Sequence, residues 1–143
     1  MRIRNLISEG MEVVSLPPTA TALDATKLMV DSHRGSVLVV GDAGELLGIF
    51  TERDLMVRVV SKDFTPSEMA LREVMTTDLF TTGPDHKASE VRREMRERHI
   101  RHLPVLEGGS VIAVLSMRDL MRADLERTRN DADAMRDYIQ GEG

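Results

Sequence analysis

Two short patterns in this chain of 143 residues set a hydroxyl and a carboxylate three positions apart: Thr51-x-x-Asp54 and Ser116-x-x-Asp119. A carboxylate only accepts hydrogen bonds, so it suits a cis-diol or a set of N–H groups. The hydroxyl before it caps a helix or holds an oxygen of a bound anion. Each pattern directly follows an apolar run, where a strand gives way to a helix and free backbone N–H groups favour anions. Arg53 and Arg118 fill the same slot in the two patterns, and Arg101-His102 adds a cationic pair ahead of the second. A plainer reading needs no ligand: Ser or Thr at the N-cap with an acid at N3 is what any helix start prefers. Spacing alone supports both.

Other chemistry finds little footing. With no cysteine, disulfides, thiolate nucleophiles and thiolate metal sites drop out together. His33 and His99 fall at equivalent helix ends, where an imidazole complements the C-terminal dipole. His99 and His102 are three apart but span a helix-to-strand break, and no HExxH-type spacing occurs, so no metal site is expected. No Ser or Thr has a sequence-identifiable His and acid to activate it, so the chain is not expected to be an enzyme. The net charge of −5 and the scarcity of aromatic residues (three Phe, one Tyr, no Trp) argue against a nucleic-acid surface, which wants a basic field and stacking platforms. No apolar run approaches the roughly 20 residues of a membrane helix, and Met1 to Leu6 lack a signal peptide's apolar core. The expectation is a soluble cytoplasmic protein with no membrane contact.

The two patterns belong to a longer repeat. Gly48 to Leu55 returns as Ala113 to Leu120, 65 positions later, and upstream Pro18, Ala25, Met29, His33 and Val39 return as Pro84, Val91, Met95, His99 and Val105 at an offset of 66. Ile3 to Ile7 echoes Leu71 to Met75 at 68. Two copies are too few for a solenoid. They imply a pseudo-two-fold pair with clefts at the seam.

Each copy reads strand, helix, strand, strand, helix. Met11 to Leu16 is a strand stopped by Pro17-Pro18, Thr21 with Asp24 caps a helix whose buried face carries Ala22, Ala25 and Met29, and Ser36 to Val40 is a buried β-branched strand. Glu45 to Phe50 returns as its partner. In the second copy Leu79 to Thr82 reads as a strand, Pro84-Asp85 as a helix start, and His102 to Leu106 with Ser110 to Leu115 as a hairpin. Thr65-Pro66-Ser67-Glu68 reads as the start of a connecting helix. The last helix runs from Met117 to about Ile139, with Met121, Leu125, Thr128, Ala132, Met135 and Ile139 in a heptad-like stripe that fits a partner helix or packing on its own subunit equally well. The fold class is α+β, with a small sheet in each half. The expected division is repeat 1 over 3–61, a linker with the connecting helix start over 62–70, repeat 2 over 71–125, and a helical extension and tail over 126–143.

Tandem strand-helix-strand-strand-helix units, each ending in an apolar strand and Gly-h-x-[Thr/Ser]-x-x-Asp, resemble a pair of CBS domains (a Bateman module). The second copy has Ala113 at the glycine. Ile100-Arg101-His102-Leu103-Pro104-Val105 and Val74-Met75-Thr76 match the family's second-strand and repeat-start motifs, and the resemblance covers about residues 3–125. It implies two repeats packed sheet against sheet, two clefts that take adenosine compounds (AMP, ADP, ATP, sometimes S-adenosylmethionine), and a homodimer. Carried over, Asp54 and Asp119 would take ribose hydroxyls, and Thr51 and Ser116 phosphate or ribose oxygens. Leu16 and Ile100 would flank the base, and Arg101 and His102 would face phosphates, with Arg53 and Arg118 as further candidates. Arg34 precedes Gly35-Ser36, which stand where the second copy has Arg101-His102. The resemblance thus implies a regulatory module that needs no cofactor beyond its nucleotide and acts in trans on a separate protein. Two competitors remain: an interaction module whose motifs only cap helices, and an anion or nucleic-acid binder around Arg101, His102 and Arg118.

Overall fold

The computed structural model describes residues 1–8 and 11–141. In the first half β1 (Ser15–Leu16) runs parallel to β2 (Ser36–Val40), which pairs antiparallel with β3 (Leu46–Thr51). The second half contains the antiparallel pair β4 (His102–Glu107) and β5 (Ser110–Ser116). Helices α1 (Ala22–Ser32) and α4 (Ala88–Glu97) precede the two hairpins. Helix α2 (Glu52–Asp54) follows β3 and widens into a π turn over Leu55–Val59, while α5 (Met117–Gly141) follows β5. The short α3 (Leu71–Val74) lies between the halves.

Periodicity placed the cores. Ala22, Ala25 and Met29 of α1 bury against Val37, Val39 and Phe50. Their counterparts Val91 and Met95 bury against Leu103, Val105 and Leu115. The two sets form separate apolar clusters, each with its own sheet.

What joins the halves is an exchange that the repeat boundaries do not reveal. Ile3, at the head of the first copy, is fully buried in the second cluster, and Leu71 and Val74, at the head of the second copy, are buried in the first. The hydrogen bonds follow suit: Ile3 and Arg4 N–H donate to the carbonyls of His86 and Pro84, and Leu71 and Arg72 N–H donate to those of Ala20 and Pro18. Each copy lends its first turn to the other, so neither cluster is complete without both.

Several expected boundaries shrink. Of the strand Met11 to Leu16 only Ser15–Leu16 pairs as one, although the Val14 carbonyl still accepts from Leu38 N–H. The strand Leu79 to Thr82 reduces to one parallel bridge, Thr82 to Val105. The helix expected at Pro84-Asp85 begins at Ala88 instead. Its N-cap, Lys87, has no side-chain cap bond, whereas Thr21 in the same slot accepts from Asp24 N–H and completes a capping box. The two helices nevertheless start at equivalent positions, Ala22 and Ala88, so the start does not depend on the cap bond. Pro66–Glu68 is a single 3-10 turn rather than the start of a long connecting helix.

Candidate functional site

Both hydroxyl–carboxylate patterns fold into capping boxes, as helix-start chemistry dictates. Thr51 N–H donates to Asp54 Oδ2 at 3.0 Å and Asp54 N–H to Thr51 Oγ1 at 3.2 Å. Ser116 N–H donates to Asp119 Oδ2 at 2.8 Å and Asp119 N–H to Ser116 Oγ at 3.1 Å. Beyond the cap the two carboxylates differ.

Asp54 is buried and spent. Its Oδ1 accepts from Thr76 Oγ1 at 2.9 Å and lies 3.4 Å from Arg58 Nε. Thr76 is brought there by its own backbone, which exchanges both hydrogen bonds with Ile49 on the edge of β3. The approach is close enough that a Cβ on Gly48 would lie 2.8 Å from the Thr76 carbonyl oxygen and 2.7 Å from Met75 Sδ. Gly48 therefore serves the chain's own Met75-Thr76 segment. In the second half Ala113 takes that slot and is fully buried in the core.

Asp119 is half-buried, and among the described residues its only hydrogen bonds are the two of the cap, leaving Oδ1 without a donor. It lines a cleft of about 1410 Å³ at the seam between the repeats. The end of α1 supplies Met29 and Val30, and His33, Arg34, Gly35 and Ser36 follow it. Facing them are Arg101, His102, Ser116, Met117 and Arg118, then Met121, Arg122 and Leu125 along α5. Five arginines and four carboxylates line this space, a basic excess in a chain of net charge −5. Arg92 and Asp124 are paired with each other, which leaves Arg34, Arg101, Arg118 and Arg122 against Glu12, Glu52 and Asp119. Burial pushes the His102 imidazole below the ordinary histidine value; Glu52 and Asp119 pull it back up and Arg101 adds to the lowering.

The cleft therefore gathers Arg34, Arg101, His102, Ser116, Arg118 and Asp119 from the sequence-derived set. Thr51, Arg53 and Asp54 are not in its wall. Leu16 packs on the first apolar cluster and Ile100 on the second; the apolar wall of the cleft includes Val14, Met29 and Val114. Sequence reasoning passed over Glu52, Arg92 and Arg122. Glu52 was within reach, since it occupies the slot equivalent to Met117 at the offset of 65. Arg122 follows Arg118 by one helical turn. Arg92 carried no such signal. Among the described residues no three His, Asp or Glu converge as metal ligands, and no helix is long and apolar enough to cross a membrane.

A paired-repeat module with exchanged first turns and a charged cleft at its seam is the class this architecture defines. The chain belongs to the CBS domain family, whose model matches residues 3–61 and 71–126. It is 32% identical over 114 residues to a protein of Methanopyrus kandleri, covering 79% of this chain and 58% of that one. The chain spans less than two thirds of the length of the first curated relatives it matches. A CBS-domain protein from Burkholderia ambifaria has the same fold, with TM-score 0.80, 31% identity, and coverage of 87% and 91% of the two chains. A CBS domain protein from Pyrobaculum aerophilum, solved in complex with AMP, is similar with TM-score 0.75 over 83% and 89% of the chains; at 23% identity that likeness is one of fold.

Proposed function

We propose that this protein is a regulatory module that binds an adenosine phosphate in the seam cleft, through its second repeat, and passes the binding state to a separate protein. The observation that carries the reading is Asp119. Its Oδ1 is a charged acceptor with no donor among the described residues, held on a helix start beside Ser116 in a cleft also lined by Arg34, Arg101, Arg118 and Arg122, which make no ion pair among the described residues. A ribose diol satisfies the carboxylate, the arginines and helix-start N–H groups neutralise phosphate, and Met29, Val14 and Val114 offer an apolar wall to the base. The AMP complex of the Pyrobaculum protein supports the ligand class, and S-adenosylmethionine fits the same acceptor with less demand on the arginines.

The first repeat favours the other reading. Asp54 is committed to Thr51, Thr76 and Arg58, so its motif acts as a structural clamp.

Thermal unfolding against AMP, ADP, ATP, S-adenosylmethionine and inorganic phosphate tests the proposal. A ligand at 100 times its Kd stabilises by about 2.7 kcal/mol. The expected result is a shift with adenosine compounds that Asp119→Ala abolishes. No shift at millimolar ligand would end this reading.

A further inference from the structure

The apolar stripe of α5 starts at the mouth of the seam cleft with Met121, Leu125 and Thr128, and beyond it meets no core among the described residues. Leu120 is its last buried side chain, and every residue from Asp124 to Gln140 is exposed. Met121 is 59%, Leu125 56%, Met135 65% and Ile139 67% exposed, although they lie on one stripe. In proteins most helical stability comes from packing of an apolar face, and this stretch has none packed on a core.

The charges beside the stripe select an occupant. With Leu125, Ala132 and Ile139 at heptad position a and Met121, Thr128 and Met135 at d, position e is Arg122, Arg129 and Arg136, and position g is Asp124, Asp131 and Tyr138. One flank is wholly basic and the other acidic at two of its three positions. We propose that residues 121–139 form a parallel, in-register two-stranded coiled coil with a second copy of this chain. In that arrangement g meets e of the next heptad, so Asp131 faces Arg136 of the partner subunit and Asp124 faces Arg129 of the partner subunit, each twice by symmetry. An antiparallel pair sets g against g and e against e, which opposes Asp to Asp and Arg to Arg. Asp124 already takes the Arg92 guanidinium, so Asp131 and Arg136 decide the orientation. Ala132 and Thr128 narrow the middle of the seam, and the pair is reversible on dilution.

The chain has no cysteine, which makes the test direct. Leu125→Cys and Ile139→Cys, each alone in the full-length protein without nucleotide, are oxidised and resolved on a denaturing gel. A parallel in-register pair cross-links at both positions, whereas an antiparallel one joins at no more than one of them. Sedimentation equilibrium should show a dimer whose Kd rises at least about tenfold in Asp131→Arg and recovers in Asp131→Arg with Arg136→Asp, because the charges are then exchanged rather than clashing. Circular dichroism confirms that each variant is folded. A monomer at all concentrations, cross-linking at one position only, or an Asp131→Arg dimer as tight as the parent would overturn the proposal. Because no nucleotide is present, its failure is separate from failure of the ligand reading.

Discussion

Gly35 and His102 meet across the seam of the two repeats: a Cβ on Gly35 would lie 3.1 Å from His102 Nε2. These positions are one residue out of register in the repeat, since His102 answers to Ser36. The contact is thus a product of packing between halves, and the imidazole fills space that only a glycine leaves open.

Replacing Gly35 by alanine should disturb the cleft more than the fold. Its φ lies outside the left-handed region, so the lost backbone freedom of the unfolded chain favours the variant by about 0.4–1 kcal/mol. Displacing the imidazole by a few tenths of an ångström offsets that gain. We expect the unfolding free energy to stay within about 1 kcal/mol of the parent, while the His102 ring resonances shift in the NMR spectrum. An unmoved His102 would show that the ring does not rest on Gly35.

The two aspartates should separate ligand binding from stability. Asp119→Ala removes a cap bond and the free acceptor. It should cost about 0.5–2 kcal/mol of stability and weaken adenosine-phosphate binding by roughly 1–3 kcal/mol. Asp54→Ala removes the carboxylate that accepts from Thr51 N–H, the Thr76 bond and the Arg58 contact from a buried site. It should cost about 2–4 kcal/mol of stability with ligand affinity nearly unchanged. Calorimetric titration and urea unfolding of both variants check the pair, and equal ligand losses would refute the asymmetry.

Gly48→Ala tests what the glycine is for. The Thr76 carbonyl that the new Cβ would meet at 2.8 Å accepts from Ile49 N–H at 3.0 Å and cannot retreat without losing that bond. Overpacking of this kind costs about 1–3 kcal/mol, a drop of several degrees in Tm for a chain of this size. A stable variant that had lost ligand binding would instead place a ligand against β3.

How far the sequence reached depends on the range of the interaction. The cores were legible because period-2 and period-3.6 patterns act locally, and Val37, Val39, Leu103 and Val105 are fully buried as the runs imply. The capping boxes at Thr21, Thr51 and Ser116 were legible because their partners lie three residues away. The exchange of Ile3 and Leu71 between halves was not, since their 68-residue offset is the same whichever half they serve. The inequality of Asp54 and Asp119 escaped for a related reason. It depends on Thr76, 22 positions from Asp54, and the equivalent slot at the start of the chain is Ser8, which is exposed. Leu16 and Ile100, both partly buried, pack on the two cores, a contact that their place beside the motifs does not reveal.

His102 should link ligand binding to pH. Burial depresses its pKa below the ordinary value of 6.5, so the folded protein prefers the neutral ring. The stability this preference contributes is fully present above pH 6.5 and is lost as pH falls from there through the depressed folded value, because the unfolded chain takes up the proton first. An anionic phosphate in the cleft acts in the opposite sense, since it favours the imidazolium. Binding should therefore take up protons, and affinity should rise as pH falls through that same window. Titration calorimetry in two buffers of different ionisation enthalpy measures the uptake directly. His102→Gln should flatten both the pH dependence of binding and the acid loss of stability, and proton uptake that persists in that variant would assign the titration to another group.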